Sequence, residues 1–158
     1  MVELILVGKD SGDIKTGSSS TWQLMQSLFN EAALKKVSYL GPVNYPEIQN
    51  LIKDATVCVF PTFAEALPVS WLEAMAMEKA IVASNIGWAN EMIDNEKEGF
   101  LVHPTHHKQY AERILELLDN EKKRKQFGEM ARKKVKTKFS HELIAKQSIE
   151  FYKTLLKS

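Results

Sequence analysis

"TVCVFPTFAEALPVSWLEAMAMEKAIVAS", residues 56–84, sets two short apolar runs, "TVCVFP" (56–61) and "AIVAS" (80–84), on either side of a helical pattern over 69–78. Neither run alternates apolar with polar residues. Strands that are apolar along their whole length are buried on both faces, as in a parallel sheet covered by its own crossover helices. The pattern extends outward through "LILVG" (4–8), "VSYLG" (37–41) and "GFLVHP" (99–104), with helical patterns near 20–34, 46–53 and 88–94. Strand runs separated by helices predict an α/β fold, a doubly wound parallel sheet. After Pro104 come three helical segments, near 106–118, 120–137 and 141–156, with no further strand signal and with Ser140 placed to cap the last. "GDIKTGSSST" (12–21) reads as a flexible loop entering the first helix.

A chain of 158 residues suits one domain over 1–158, since domains of this size bury roughly 70% of the surface their unfolded chain exposes. Its formal charge of +1 gives no global attraction to nucleic acid. Cys58 is the only cysteine, which excludes an internal disulfide, and inside "ATVCVF" it reads as a buried, inert thiol. No apolar stretch approaches the ~20 residues of a membrane span. "MVELILVG" lacks the basic region and cleavage site of a secretory leader, so the expected location is cytoplasmic.

Open sheets of this kind bind ligands beyond the carboxyl ends of their strands, which directs attention to the loops after residues 8, 41, 61, 84 and 104. In "VGKDSGDIKTGS" Lys9 is followed by Asp10, so the phosphate-loop pattern of Gly-Lys-Ser/Thr is not met. Glu65 follows the third strand run, and Pro68 suits the start of a helix whose free N–H groups and dipole favour an anion. Glu73 is the only charge in "VSWLEAMAM". A carboxylate on such a helix needs partners, and ribose hydroxyls or an internal ion pair would both serve, as would an exposed face. In "SNIGWANEMI" (84–93), Gly87 allows close backbone approach and Glu91 starts a short helix; a turn with a capping acid explains them equally. His103, His106 and His107 lack an acid or cysteine at ligand spacing, which favours surface and cap roles and predicts no metal site. The basic segment "EKKRKQFGEMARKKVKTKF" (121–139) carries Phe127, Met130, Ala131, Val135 and Phe139 on one stripe. Packing on the sheet is the favoured reading, with peripheral contact to an anionic membrane at the inner face of the cell as the other.

Taken together, "PTFAEALPVSWLEAMAMEKAIVASNIGWANEMIDNEKEGFLVHP" (61–104) resembles the signature region of retaining group 1 glycosyltransferases of the GT-B fold. The resemblance rests on Pro61, Thr62, Glu65, then Glu73 in a Leu-Glu-Ala-Met-Ala helix, Val82 to Ser84, Gly87, Glu91, Gly99, Leu101 and Val102. It implies a Rossmann-like donor-binding domain with C-terminal helices over 106–158. It also implies that Glu73 holds the ribose hydroxyls of a nucleoside-diphosphate sugar and that Glu65, the catalytic candidate, orients the donor sugar. Backbone around Ala66, Leu67, Pro68, Val69 and Ser70 would face the sugar and diphosphate, Gly41 and Val43 the base, and Gly87 and Glu91 the same cleft. Such transfer needs no cofactor, and the absence of Asp-x-Asp disfavours the metal-dependent alternative.

The sequence departs from that pattern at Glu78 and Ala80, where the family has Gly and Pro, and at Trp88, beside Gly87. The resemblance covers only the C-terminal domain and starts at its second strand. It therefore implies a missing N-terminal GT-B domain as partner, a missing first strand that is central in the sheet, and a rearranged, swapped or filled position there. The fragment alone is expected to be inactive. A non-catalytic nucleotide-sugar binding or docking subunit, pairing with a separate N-terminal chain, is the alternative; a related epimerase fits less well.

Overall fold

The computed structural model describes residues 2–156, which form two compact units, one ending at Ile48 and one beginning at Gln49. The first contains β1 (Leu4–Leu6), α1 (Thr21–Gln26), α2 (Glu31–Leu34) and β2 (Val37–Tyr39), with β1 and β2 parallel and Leu4 opposite Val37. The single helix expected over 20–34 is two. Asn30 Oδ1 accepts from Ala33 N at 2.8 Å, capping α2, which is where asparagine is more stable than inside a helix. The polar stretch ahead of α1 is held by side chains: Asp13 Oδ2 accepts from Thr16 Oγ1 at 2.6 Å and from Thr16 N at 2.8 Å, and Asp10 Oδ2 accepts from Ser20 Oγ at 2.5 Å. These bonds keep both carboxyls below their ordinary range.

α3 (Tyr45–Asp54) leads into the second unit, where β3 (Cys58–Phe60), β4 (Ile81–Ser84) and β5 (Gly99–Val102) pair in parallel in that order. Cys58, Val59 and Phe60 lie opposite Ile81, Val82 and Ala83. α4 (Val69–Ala76) and α5 (Ala89–Met92) make the crossovers, followed by α6 (His107–Asp119), α7 (Glu121–Lys138) and α8 (His141–Leu155). Ser140 Oγ accepts from Leu143 N at 3.4 Å, so the predicted cap of α8 is present. One sheet face packs Cys58, Ile81, Ala83 and Leu101 with Trp71 and Met75 of α4 and Ala131 of α7. The other packs Val82, Phe100 and Val102 with Tyr110, Leu117 and Phe127. Burial lifts the Cys58 thiol to about 11, as its inert reading requires.

Among the described residues the parallel strands fall into two sheets, in the orders β1-β2 and β3-β4-β5. β1 reads as a strand buried on both faces, yet Leu4 is 38%, Ile5 48% and Val7 39% exposed.

The end of α4 is a Schellman turn. Glu78 N donates to Met75 O at 3.1 Å and Lys79 N to Ala74 O at 3.0 Å. Glu78 takes φ 58°, the left-handed position that glycine occupies without steric cost. The expected glycine-free stop is therefore real, and it is strained. Glu78→Gly should raise stability by about 0.5–1 kcal/mol, read as a higher urea midpoint, after the small loss of the half-exposed Arg132 ion pair at 3.4 Å. Lys79 completes the corner by donating from Nζ to Ala55 O at 3.0 Å and to Lys53 O, at the carboxyl end of α3.

A buried polar trio fixes α7 to the segment before β5. Lys134 and Glu98 are both buried, with Lys134 Nζ 3.2 Å from Glu98 Oε2 and 3.3 Å from Asp94 Oδ1. Glu98 Oε2 also accepts from Asp94 N at 2.6 Å.

Candidate functional site

The loops leaving the carboxyl ends of β3 and β4 hold most of the residues that the sequence singled out. After Phe60 the chain runs through Glu65, Ala66 and Leu67 to Pro68, which precedes the first helical residue, Val69. Pro68 lacks an N–H, which costs nothing at a helix start, and its φ of −73° suits that position. Trp71 N donates to Pro68 O at 3.1 Å, while the N–H groups of Val69 and Ser70 precede this first bond and are free for an anion.

Glu73 sits one turn into α4, half-buried, between the core residues Trp71 and Ala74. Its carboxylate makes no hydrogen bond or ion pair with any described residue, which removes the internal salt bridge from the readings open to it. Glu65 is likewise half-buried, and its carboxylate has no partner among the described residues. The structure brings the Glu65 loop and the β4 loop together: a Cβ built on Gly87 would lie 3.3 Å from Glu65 O, and Gly87 takes φ +49°. A side chain there would be strained by both, so Gly87 permits the close approach that its identity suggested. Trp88 beside it is 61% exposed, as is much of Phe63, Leu67 and Val69.

Two polar atoms here are buried in a way the sequence reading did not foresee, although Thr62 belongs to the resemblance. Thr62 Oγ1 and Trp71 Nε1 are buried without a partner among the described residues. Trp71 packs on Phe60 with ring centroids 6.0 Å apart. No periodicity marks either group, because an indole that fills a core reads as an apolar residue.

The remaining expected residues have surroundings of their own. Glu91, on α5, lines an open cavity of about 450 Å³ with Asp94, Lys138, Phe139 and Gln147, at the junction of α5, α7 and α8. Gly41 and Val43 belong to the first unit, in the loop after β2, where Gly41 takes φ +66°. His106 and His107 border a shallow depression of about 580 Å³ at the start of α6, and His103 Nδ1 lies 2.7 Å from Thr105 Oγ1. The described residues contain no group of three or more His, Cys, Asp or Glu placed to hold a metal, and no helix long and apolar enough to cross a membrane.

Comparison with known proteins finds relatives over nearly the whole chain. A capsular polysaccharide biosynthesis glycosyltransferase of Staphylococcus aureus is 30% identical over 156 residues, covering 99% of this chain and 39% of that protein. The structure of a sucrose-phosphate synthase from Thermosynechococcus elongatus superposes with a TM-score of 0.82 at 26% identity, covering 98% of this chain and 39% of the other. An Anabaena protein solved in complex with UDP and glucose matches the fold with a TM-score of 0.83 at 23% identity, over 97% of this chain and 41% of its own. This chain thus spans about two fifths of the length of these relatives and corresponds to the Rossmann-like C-terminal half of a GT-B enzyme. The family profile described as "Glycosyl transferases group 1" matches residues 2–134, and the chain belongs to that family.

Proposed function

We propose that this chain is the donor-binding part of a retaining glycosyltransferase that moves a sugar from a nucleoside-diphosphate sugar to an acceptor hydroxyl. The observation that carries the reading is Glu73, a half-buried carboxylate on an apolar helix with no hydrogen-bond or ion-pair partner among the described residues. Two ribose hydroxyls can donate to its two oxygens. Glu65, one loop earlier, orients the hydroxyls of the donor sugar and opposes the positive charge that develops at the anomeric carbon. The free N–H groups of Val69 and Ser70, at the positive end of α4, face the diphosphate as it gains charge.

In the transfer the bond from the anomeric carbon to the diphosphate oxygen breaks, and its electron pair leaves with the nucleoside diphosphate. The acceptor oxygen bonds to the same face. The departing diphosphate oxygen is the base nearest that face and takes the acceptor's proton. Acceptor binding, and the cations that neutralise the diphosphate, are assigned to polypeptide beyond this chain. UDP-sugars are the first donors to test, because the Anabaena fold relative was solved with UDP and glucose. A polysaccharide is the first acceptor to test, because the Staphylococcus aureus relative is named for capsular polysaccharide biosynthesis.

Calorimetric titration with UDP-, GDP- and ADP-glucose tests the reading. One nucleotide class should bind, and Glu73→Ala should weaken it about 100-fold, the equivalent of about 3 kcal/mol for two hydrogen bonds to a charged acceptor. Because the Glu73 carboxylate has no partner among the described residues, the same substitution should leave the urea midpoint nearly unchanged. A folded chain that binds none of the three is not a self-sufficient donor site.

A further inference from the structure

Trp88 breaks two local rules at once. It holds the N-cap position of α5 with no side-chain hydrogen bond to the helix, where serine, threonine, asparagine or aspartate would satisfy a free N–H. It is also a large aromatic left 61% exposed, and among the described residues its indole neither stacks on another ring nor makes a hydrogen bond. The fold does not use this side chain. Its backbone, by contrast, is fixed: Ala89 N donates to Ile86 O and Glu91 N to Trp88 O, both at 3.0 Å, and Ala89 is buried in the core. A local rule broken with no gain to the fold marks a site of function.

Its position says which function. A Cβ on Gly87 would stand 3.3 Å from Glu65 O. One bond and one Cα–Cα step of ~3.8 Å further on, Trp88 Cα lies within about 9 Å of that carbonyl, so the indole is within reach of whatever Glu65 holds. The Glu65 loop adds Phe63 and Leu67, two residues either side of the carboxylate and 70% and 56% exposed. All of these residues belong to the unit that begins at Gln49. Apolar and aromatic walls around a few polar groups suit a ligand with two kinds of surface. A pyranose ring is such a ligand. Its hydroxyls project round the rim, where a carboxylate accepts from them, while its axial C–H bonds give the ring faces an apolar patch that matches an aromatic plane.

We propose that Trp88 is a specificity-determining residue, the platform on which the apolar face of the transferred pyranose stacks while Glu65 holds its rim hydroxyls. The choice of the donor's ring over an acceptor's rests on the donor-site reading above. The signature that this chain otherwise matches is departed from at Trp88. The platform therefore sets this chain's own sugar preference and is not a general requirement of the transfer.

Calorimetry with UDP and UDP-glucose, and with the GDP and ADP pairs likewise, tests this on the chain and two variants. Trp88→Ala should weaken the sugar nucleotide about tenfold, the upper range for an aromatic contact, and leave the bare nucleotide within about twofold. Trp88→Phe, which keeps a ring, should recover most of the loss. Because the indole has no partner among the described residues, neither substitution should move the urea midpoint. Equal weakening of bare and sugar-bearing nucleotide overturns the proposal, as does no weakening of either. A second measurement needs no nucleotide. The indole N–H signal of Trp88, identified by its loss in Trp88→Phe, should shift on addition of methyl α-glucoside and not of sorbitol, which carries hydroxyls without a ring face. If no nucleotide binds, that shift keeps the sugar platform while the donor-site reading falls, and its absence overturns both. A glucoside shift that persists with UDP-glucose saturating the chain assigns the platform to an acceptor ring and overturns the donor assignment. Broadening of the signal with protein concentration alone assigns Trp88 to a contact between copies and overturns the proposal too.

Discussion

Gly128→Ala should destabilise the chain by about 3 kcal/mol or more, although alanine is the better helix former by about 1 kcal/mol. Gly128 lies inside α7, and a Cβ there would stand 2.0 Å from Glu78 O and 2.7 Å from Glu78 C. The obstacle is backbone, so no rotamer change relieves it. It is also the backbone of a residue already fixed at φ 58° by the two bonds of the Schellman turn. Relief requires α7 to move away from the end of α4, opening the contact that buries Ala131 and Phe127. Urea denaturation measures the loss, with Met130→Ala as the control on an exposed position of the same helix. A gain in stability on Gly128→Ala would mean that α7 does not lie against the α4 corner.

Lys134→Met should cost about 3–5 kcal/mol, because it leaves the buried Glu98 carboxylate without its cation. Burial rather than the ion pair itself sets that figure. The double variant Lys134→Met, Glu98→Gln should therefore be more stable than Lys134→Met alone, and the cycle of four proteins reads the coupling. Asp94 supplies a pH signature. The hydrogen bond from Lys134, then its charge, hold the Asp94 carboxyl below the usual 3.8. A lowered carboxyl contributes stability that is present above the unfolded value and is lost as pH falls through the folded one. Lys134→Met should flatten stability below ~pH 4 and return Asp94 toward its ordinary titration, observable by NMR.

The elements that the sequence revealed are those whose burial is uniform. β3, β4 and β5 sit within two residues of their apolar runs, and α4 begins where Pro68 allows a helix to begin. What stayed hidden depends on partners distant in sequence. The stripe expected on α7 included Met130, which is 38% exposed, while Lys134 takes a core position instead. Nothing distinguishes Lys134 from its neighbouring lysines until Glu98, 36 residues away, is placed against it. Gly128 reads as a helix defect until the Glu78 carbonyl is seen beside it. Glu65, Glu73 and Gly87 were named as a set through the resemblance, and the structure brings two of them, Gly87 and the Glu65 backbone, into contact. Glu91 was legible through the resemblance and as the start of a short helix, but not the cavity it lines with residues of α7 and α8, which no local pattern connects to α5.

Cys58 gives the molecule an internal clock. With its thiol at about 11, on the order of one molecule in ten thousand carries the thiolate at neutral pH, and the side chain is 8% exposed. Air oxidation and mild electrophiles are therefore slow so long as β3 stays shut. Once the strand parts from its neighbours, the same sulfur becomes an ordinary reactive thiol. Since no other cysteine competes, the rate at which a thiol reagent adds one label per chain counts openings of the strand that leads into the Glu65 loop. Ligands that close this loop should slow the count, and those that leave it alone should not.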